Sequence, residues 1–165
     1  MEIFNILSSL SSTILFVSIV LDIFLGYIVF RSNMRSATNI IFVILTILIS
    51  TWMAVFFLSL RPFTEAISLQ LVRMSIFVTV PMNSVFILLA YTFPFEKLRI
   101  PKIKIIYLTI ATIIVGYITL SPYTFTSLSF VNNFPTPIPG KGMMLFTIFI
   151  LATNALTLYE MARRY

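Results

Sequence analysis

The chain has 165 residues, 59% of them hydrophobic and 10% charged, with a formal net charge of +6 and a mean hydropathy of +1.06. Soluble domains carry about 25% charged residues, so this composition reads as one membrane-embedded bundle with no room for a separate soluble domain. Cysteine and histidine are both absent, which excludes a disulfide framework, a thiol nucleophile, an imidazole base or ligand, and a phospho-accepting histidine within these residues.

The N-terminal stretch MEIFNILSSLSSTILFV lacks the positive n-region of a secretory signal, and its apolar run continues to Phe30. It reads as a retained first span over about residues 10–30. Asp22 is the only charge in that span, and Ser18 and Gly26 flank it at four-residue spacing. An aspartate at that depth costs about 2.5–3.5 kcal/mol on insertion scales, so it needs a reason. Two are open: a hydrogen-bonded carboxyl that fixes helix packing, or a role in sensing, ion or proton handling.

The second span, about 40–60, carries no charge and has Trp52 near its centre. A buried indole N–H wants an acceptor, which Asp22 or a hydroxyl could supply; packing bulk is the plainer reading. The third, about 66–93, is too long for the roughly 30 Å hydrocarbon core, so the turns from Thr64 to Arg73 are expected to protrude. Thr64 is placed to act as N-cap, and Glu65 suits the positive end of the helix dipole. Ser75, Thr79 and Asn83 recur every four residues and share one face. Pro81 interrupts them, removing the bond its N–H would make to Phe77 and predicting a bend. A polar stripe and a freed carbonyl both call for neighbours, so this span is expected at the centre of the bundle. Arg73 is a candidate partner for Asp22 only if its end of the helix dips inward.

After span three comes PFEKLRIPKIK, with Lys97, Arg99, Lys102 and Lys104, and then the fourth span, about 103–120. The loop over 121–142 holds four of the eight prolines. Alternating aromatic and hydroxyl residues before Asn132 and Asn133 allow a short hairpin, while the prolines that follow predict extended, irregular chain. The fifth span covers about 143–161 and ends in Glu160, Arg163 and Arg164, where Glu160 and Arg164 have the spacing of a helix-end pair.

Eight of the eleven Lys and Arg residues fall in the loops after spans one, three and five; Arg61, Arg73 and Lys141 fall on the other side. The positive-inside rule then places the N-terminus outside and the C-terminus inside. The same placement reads the net positive charge as a topology signal, with the lipid bilayer as partner and no nucleic acid. Four glycines leave no phosphate-cradling loop, and Glu2, Asp22, Glu65, Glu96 and Glu160 are expected at different depths. No catalytic carboxylate pair, metal site or cofactor is therefore expected within these residues.

Asn39, Phe42, Leu45 and Trp52 in the second span, with Arg73, Pro81, Phe86 and the ending Tyr91, Thr92, Phe93, Pro94 in the third, carry a family resemblance. The chain resembles the N-terminal seven-transmembrane sensor region of bacterial histidine kinases. The proline-bearing outer loop closing on Pro139 and Gly140, and the fifth span ending in Glu160, Arg163 and Arg164, are similar in order. The family has seven helices and a cytoplasmic output module, and this chain supplies five helices. The resemblance thus implies an N-terminal fragment in the bacterial cytoplasmic membrane, with two spans, a two-component transmitter and a dimer contact beyond Tyr165.

The function expected is a sensory or receptor module for a small-molecule or membrane signal. Its sensing candidates are Asp22, Trp52, Arg73, Thr79, Asn83 and Tyr123, with Pro81 as the conformational element. The rivals are a transporter or channel piece using Asp22, and the membrane portion of a lipid- or glycan-processing enzyme.

Overall fold

The computed structural model describes residues 2–61, 63–93, 100–131 and 134–164. Five helices follow one another: α1 (Glu2–Ser32), α2 (Ala37–Ser59), α3 (Glu65–Thr92), α4 (Lys102–Leu120) and α5 (Gly142–Arg164), with a hairpin of β1 (Phe125–Val131) and β2 (Phe134–Pro139) between the last two. Each of the five is long and apolar enough to cross a membrane. Their outward faces carry Phe16, Phe24, Ile47, Ile113, Leu151 and Leu158, each more than half exposed. A surface of this kind suits hydrocarbon better than water.

The basic segment 94–99, with Lys97 and Arg99, and the turn at Asn132 and Asn133 lie outside the described residues. The helix bounds otherwise follow the expected spans to within a few residues, except that α1 begins at Glu2.

α3 is the central helix: 44% of its apolar window is buried, against 6% for α1. It packs on α2, α4 and α5, whereas α1 docks chiefly on α2. Its buried face, Ser68, Ser75, Val78, Val80, Asn83, Ser84, Ile87 and Ala90, is built of small, polar and aliphatic side chains that let helices approach closely. The hydroxyls of Ser75, Thr79 and Ser84 donate to the carbonyls of Val72, Ser75 and Val80, so none is orphaned in an apolar setting. α3 runs as one helix through Pro81. Phe146 and Phe149 of α5 pack on Val80 to form the core cluster, with Ile76 of α3 and Ala111 and Val115 of α4 around it.

Two glycines set the helix spacing. A Cβ on Gly26 would meet Thr46 Oγ1 at 2.5 Å, so a larger residue there requires Thr46 or the helix to shift. Gly116 of α4 leaves room for the Phe77 ring of α3 in the same way, though less tightly, at 3.2 Å.

Two local expectations change. Thr64 does occupy the N-cap position of α3, but its side chain makes no capping bond; its backbone carbonyl accepts the Ser68 N–H instead, at 2.9 Å. The segment after residue 133 is a regular strand and not irregular chain. Pro135, Pro137 and Pro139 sit two apart, and alternate residues of a strand turn their N–H groups to opposite edges. All three missing donors therefore fall on one edge, and the other stays free to pair antiparallel with β1.

Candidate functional site

The two ends of the bundle differ. At one, which we call the basic end, the Asn39 amide of α2 donates to the carbonyls of Val29 (2.8 Å) and Asn33 (3.1 Å), tying the α1–α2 turn. Arg31, Arg35, Lys102, Lys104 and Arg163 lie there. The hairpin end carries β1 and β2, Arg61, Arg73 and Lys141. There Arg61 donates to Ser12 Oγ at 2.6 Å and stacks over the Phe57 ring at 4.3 Å.

Polar contacts of α3 run from one end to the other. At the hairpin end Arg73 Nη2 donates to the Phe125 carbonyl at 2.5 Å, joining α3 to the first residue of β1. The base of the hairpin is itself fixed to α4 and α5. Thr124, fully buried, donates to the Ile118 carbonyl at 2.8 Å, and the Tyr123 and Thr124 carbonyls accept the N–H groups of Gly142 and Gly140. A Cβ on Gly140 would overlap the Tyr123 carbonyl, so this closure requires glycine. In mid-helix Asn83 donates to the Thr79 carbonyl (2.9 Å) and accepts from the Asn154 amide of α5 (3.1 Å). Beside it Ser84 and Thr112 share a hydrogen bond of 2.6 Å between α3 and α4.

At the basic end three helices meet on one carboxylate. Glu160 of α5 is 5% exposed; the Tyr91 hydroxyl of α3 donates to it, and Lys104 Nζ of α4 lies 3.6 Å from its Oε1. Lys104 also donates to the Tyr91 hydroxyl at 3.0 Å, while its half-exposed stem reaches outward. A carboxylate buried without such partners would be strongly destabilising. The helix-end pairing expected for Glu160 involves Arg164, whose side chain lies outside the described residues.

Apolar clefts flank this cluster on both sides. One, of about 410 Å³, lies between α1–α2 and α3–α5 and is lined by Thr38, Asn39, Phe42, Phe86, Leu89 and Met161, among others. The second, also about 410 Å³, lies between α3, α4 and α5 and includes Tyr91, Lys104 and Phe149.

The residues singled out in the sequence do not converge on one pocket. Asp22 accepts from Ser50 Oγ at 2.7 Å in the α1–α2 seam, and Arg73 faces the hairpin, so the two do not pair. Trp52 stacks on Phe56 with ring centroids 5.5 Å apart and is not the donor to Asp22. Asn83 sits against Asn154 of α5, while the Thr79 hydroxyl bonds within α3 to the Ser75 carbonyl, with Pro81 between the two on the same helix. The Tyr123 ring is exposed, and only its backbone carbonyl takes part, in the hairpin closure. Among the described residues no three acidic, histidine or cysteine side chains gather.

The Tyr91–Lys104–Glu160 cluster was the feature sequence reasoning missed. A signal did exist: Phe146, Phe149, Thr153 and Glu160 are spaced 3, 4 and 7 apart, which puts the acid on the core-facing side of α5. No family model, curated protein or solved structure matches the chain.

Proposed function

We propose that this chain is a membrane-embedded sensory module, with the hairpin end outside, the basic end in the cytoplasm, and α3 as the connector between them. The observation that carries the reading is the placing of α3's polar contacts. Arg73 grips the hairpin, Asn83 holds the middle of α5, and Tyr91 holds the end of α5, all from one helix. A displacement of the hairpin is thereby imposed on the end of α5 that Tyr91 holds at Glu160. The resemblance to histidine-kinase sensor regions fits this direction of travel, and the excess of Lys and Arg at the basic end fits a cytoplasmic position. Asp22 supports transport less well. It lies on the peripheral helix, where it accepts a hydrogen bond from Ser50.

The reading is tested by spin labels at positions 34 and 163, both exposed and both at the basic end, with distances measured in lipid nanodiscs. Arg73→Ala, at the opposite end, is expected to shift or broaden the 34–163 distance distribution while helicity is retained. A distribution identical to that of the unsubstituted protein would remove α3 as connector.

A further inference from the structure

The hairpin has one guarded edge and one open edge. Pro135 and Pro137 of β2 stand opposite Phe130 and Leu128 of β1. Proline has no N–H, so these are the non-hydrogen-bonded pairs of the ladder, in which the residues of both strands turn their backbone groups away from each other. The N–H and C=O groups of Leu128 and Phe130 therefore point to the outer edge of β1. Among the described residues no third strand pairs there, and no backbone bond leaves that edge for another element. Edge strands are ordinarily blunted by charge or proline. β2 meets that rule with three prolines, whereas β1, FTSLSFV, has neither and keeps only a bulge at its start, between Phe125 and Ser127. One face of β1 is covered, with Phe125 and Leu128 buried, while Thr126 is exposed.

A cation without an acid stands at the start of the same strand. Pro139, opposite Phe125, has no N–H to give, and the Phe125 carbonyl is taken by Arg73 Nη2 instead. That is the one hydrogen bond this guanidinium makes among the described residues, from a fork of five N–H donors; its Nε is buried without a partner, and no carboxylate pairs with it. A part-buried guanidinium with a single neutral partner calls for an anion, and a carboxylate matches its fork in two parallel bonds. A strand added antiparallel to β1 finishes beside Phe125, so its last residue reaches Arg73. A free C-terminus delivers a carboxylate there whatever the side chains of that strand.

We infer that the outer edge of β1 takes an extended peptide as a third, antiparallel strand, its main chain on Leu128 and Phe130 and its C-terminal carboxylate on Arg73. In strand addition of this kind the main-chain bonds supply affinity, and the side chains set preference among sequences. The inference rests on the sensor reading for its consequence: the peptide is then the external signal, and its carboxylate acts on the residue that ties the hairpin to α3.

The test is fluorescence anisotropy on the whole chain in lipid nanodiscs, with empty nanodiscs as the blank. The probe is a fluorescein-labelled hexapeptide of alternating threonine and valine, residues that favour extended chain, with its C-terminus either free or amidated. The free acid is expected to bind saturably, and the amide at least about tenfold more weakly, since it loses the charge-assisted bonds. Arg73→Gln, which keeps a donor for the Phe125 carbonyl, should bring the acid down to the level of the amide. N-methylation of alternate peptide residues separates strand pairing from other modes without altering the protein. Methyl groups on the set that faces β1 should weaken binding about tenfold, and methyl groups on the other set should leave it unchanged. Equal binding of acid and amide, equal loss with both methylated sets, displacement of the peptide by acetate at equal concentration, or no saturable binding of the acid would overturn the inference. So would a disulfide between two copies through Ser129→Cys that excludes the peptide, which would assign the edge to a second copy of the chain. Failure here with the Arg73-dependent distance change intact would leave the sensor reading standing; peptide binding with that distance unmoved by Arg73→Ala would leave a peptide site without a sensor.

Discussion

Glu160 shows how a single side chain can hold three helices. Its carboxylate is buried at 5% exposure, accepts from Tyr91 and lies 3.6 Å from Lys104. Tyr91→Phe removes the hydroxyl from a buried carboxylate. The expected cost is about 1.5–3 kcal/mol, read from unfolding of the helical signal in mixed detergent, since the lost bond is to a charged group. Lys104→Met should cost less, because the lysine side chain is half exposed. A larger loss from the lysine than from the tyrosine would show that charge neutralisation, and not the hydroxyl bond, dominates. The spacing of Glu160 put it on the core-facing side of α5, but its partners were not visible along the sequence. Tyr91 is 69 positions from Glu160, and the near neighbour Arg164 offers a local partner that periodicity alone favours. Asp22 was legible as an anomaly but not as a contact: its partner, Ser50, is one of many hydroxyls at helix-face spacing.

At the scale of the element, hydropathy and length located all five helices, because an apolar run of twenty residues has few other uses. What hydropathy cannot report is which face meets which neighbour. Gly26 became informative only once Thr46 was found against it. Gly26→Val should force α1 away from α2, lowering the yield of a disulfide engineered between the two helices; an unchanged yield would mean that Thr46 simply turns aside. The prolines of β2 misled for a definite reason. Counted singly they break strands, but spaced two apart they spare one edge completely. In α3 the four-residue polar spacing was readable, and Asn83 proved to bond across to Asn154. Asn83→Ala is expected to cost about 0.6 kcal/mol, with roughly 1.7 as the upper bound for hydrogen bonds between membrane helices. The same substitution should also broaden the 34–163 spin-label distance, and if Arg73→Ala does so while Asn83→Ala does not, coupling bypasses the middle of α5.

For the molecule as a whole, the decisive property is its polarity from end to end. One pole carries the hairpin, tied to α3 through Arg73; the other carries Arg31, Arg35, Lys102, Lys104 and Arg163 at the helix ends, with the Tyr91–Glu160 contact. The sensor reading and the connector helix both presuppose that these poles lie on opposite faces of a bilayer, basic pole inward. Because the chain contains no cysteine, single cysteines report that arrangement against a silent background. Thr136→Cys on the hairpin and Met34→Cys on the α1–α2 turn, both exposed, would be treated in intact cells with a membrane-impermeant maleimide. Position 136 should label at once and position 34 only after the membrane is permeabilised; labelling of position 34 in intact cells would contradict the topology and everything argued from it.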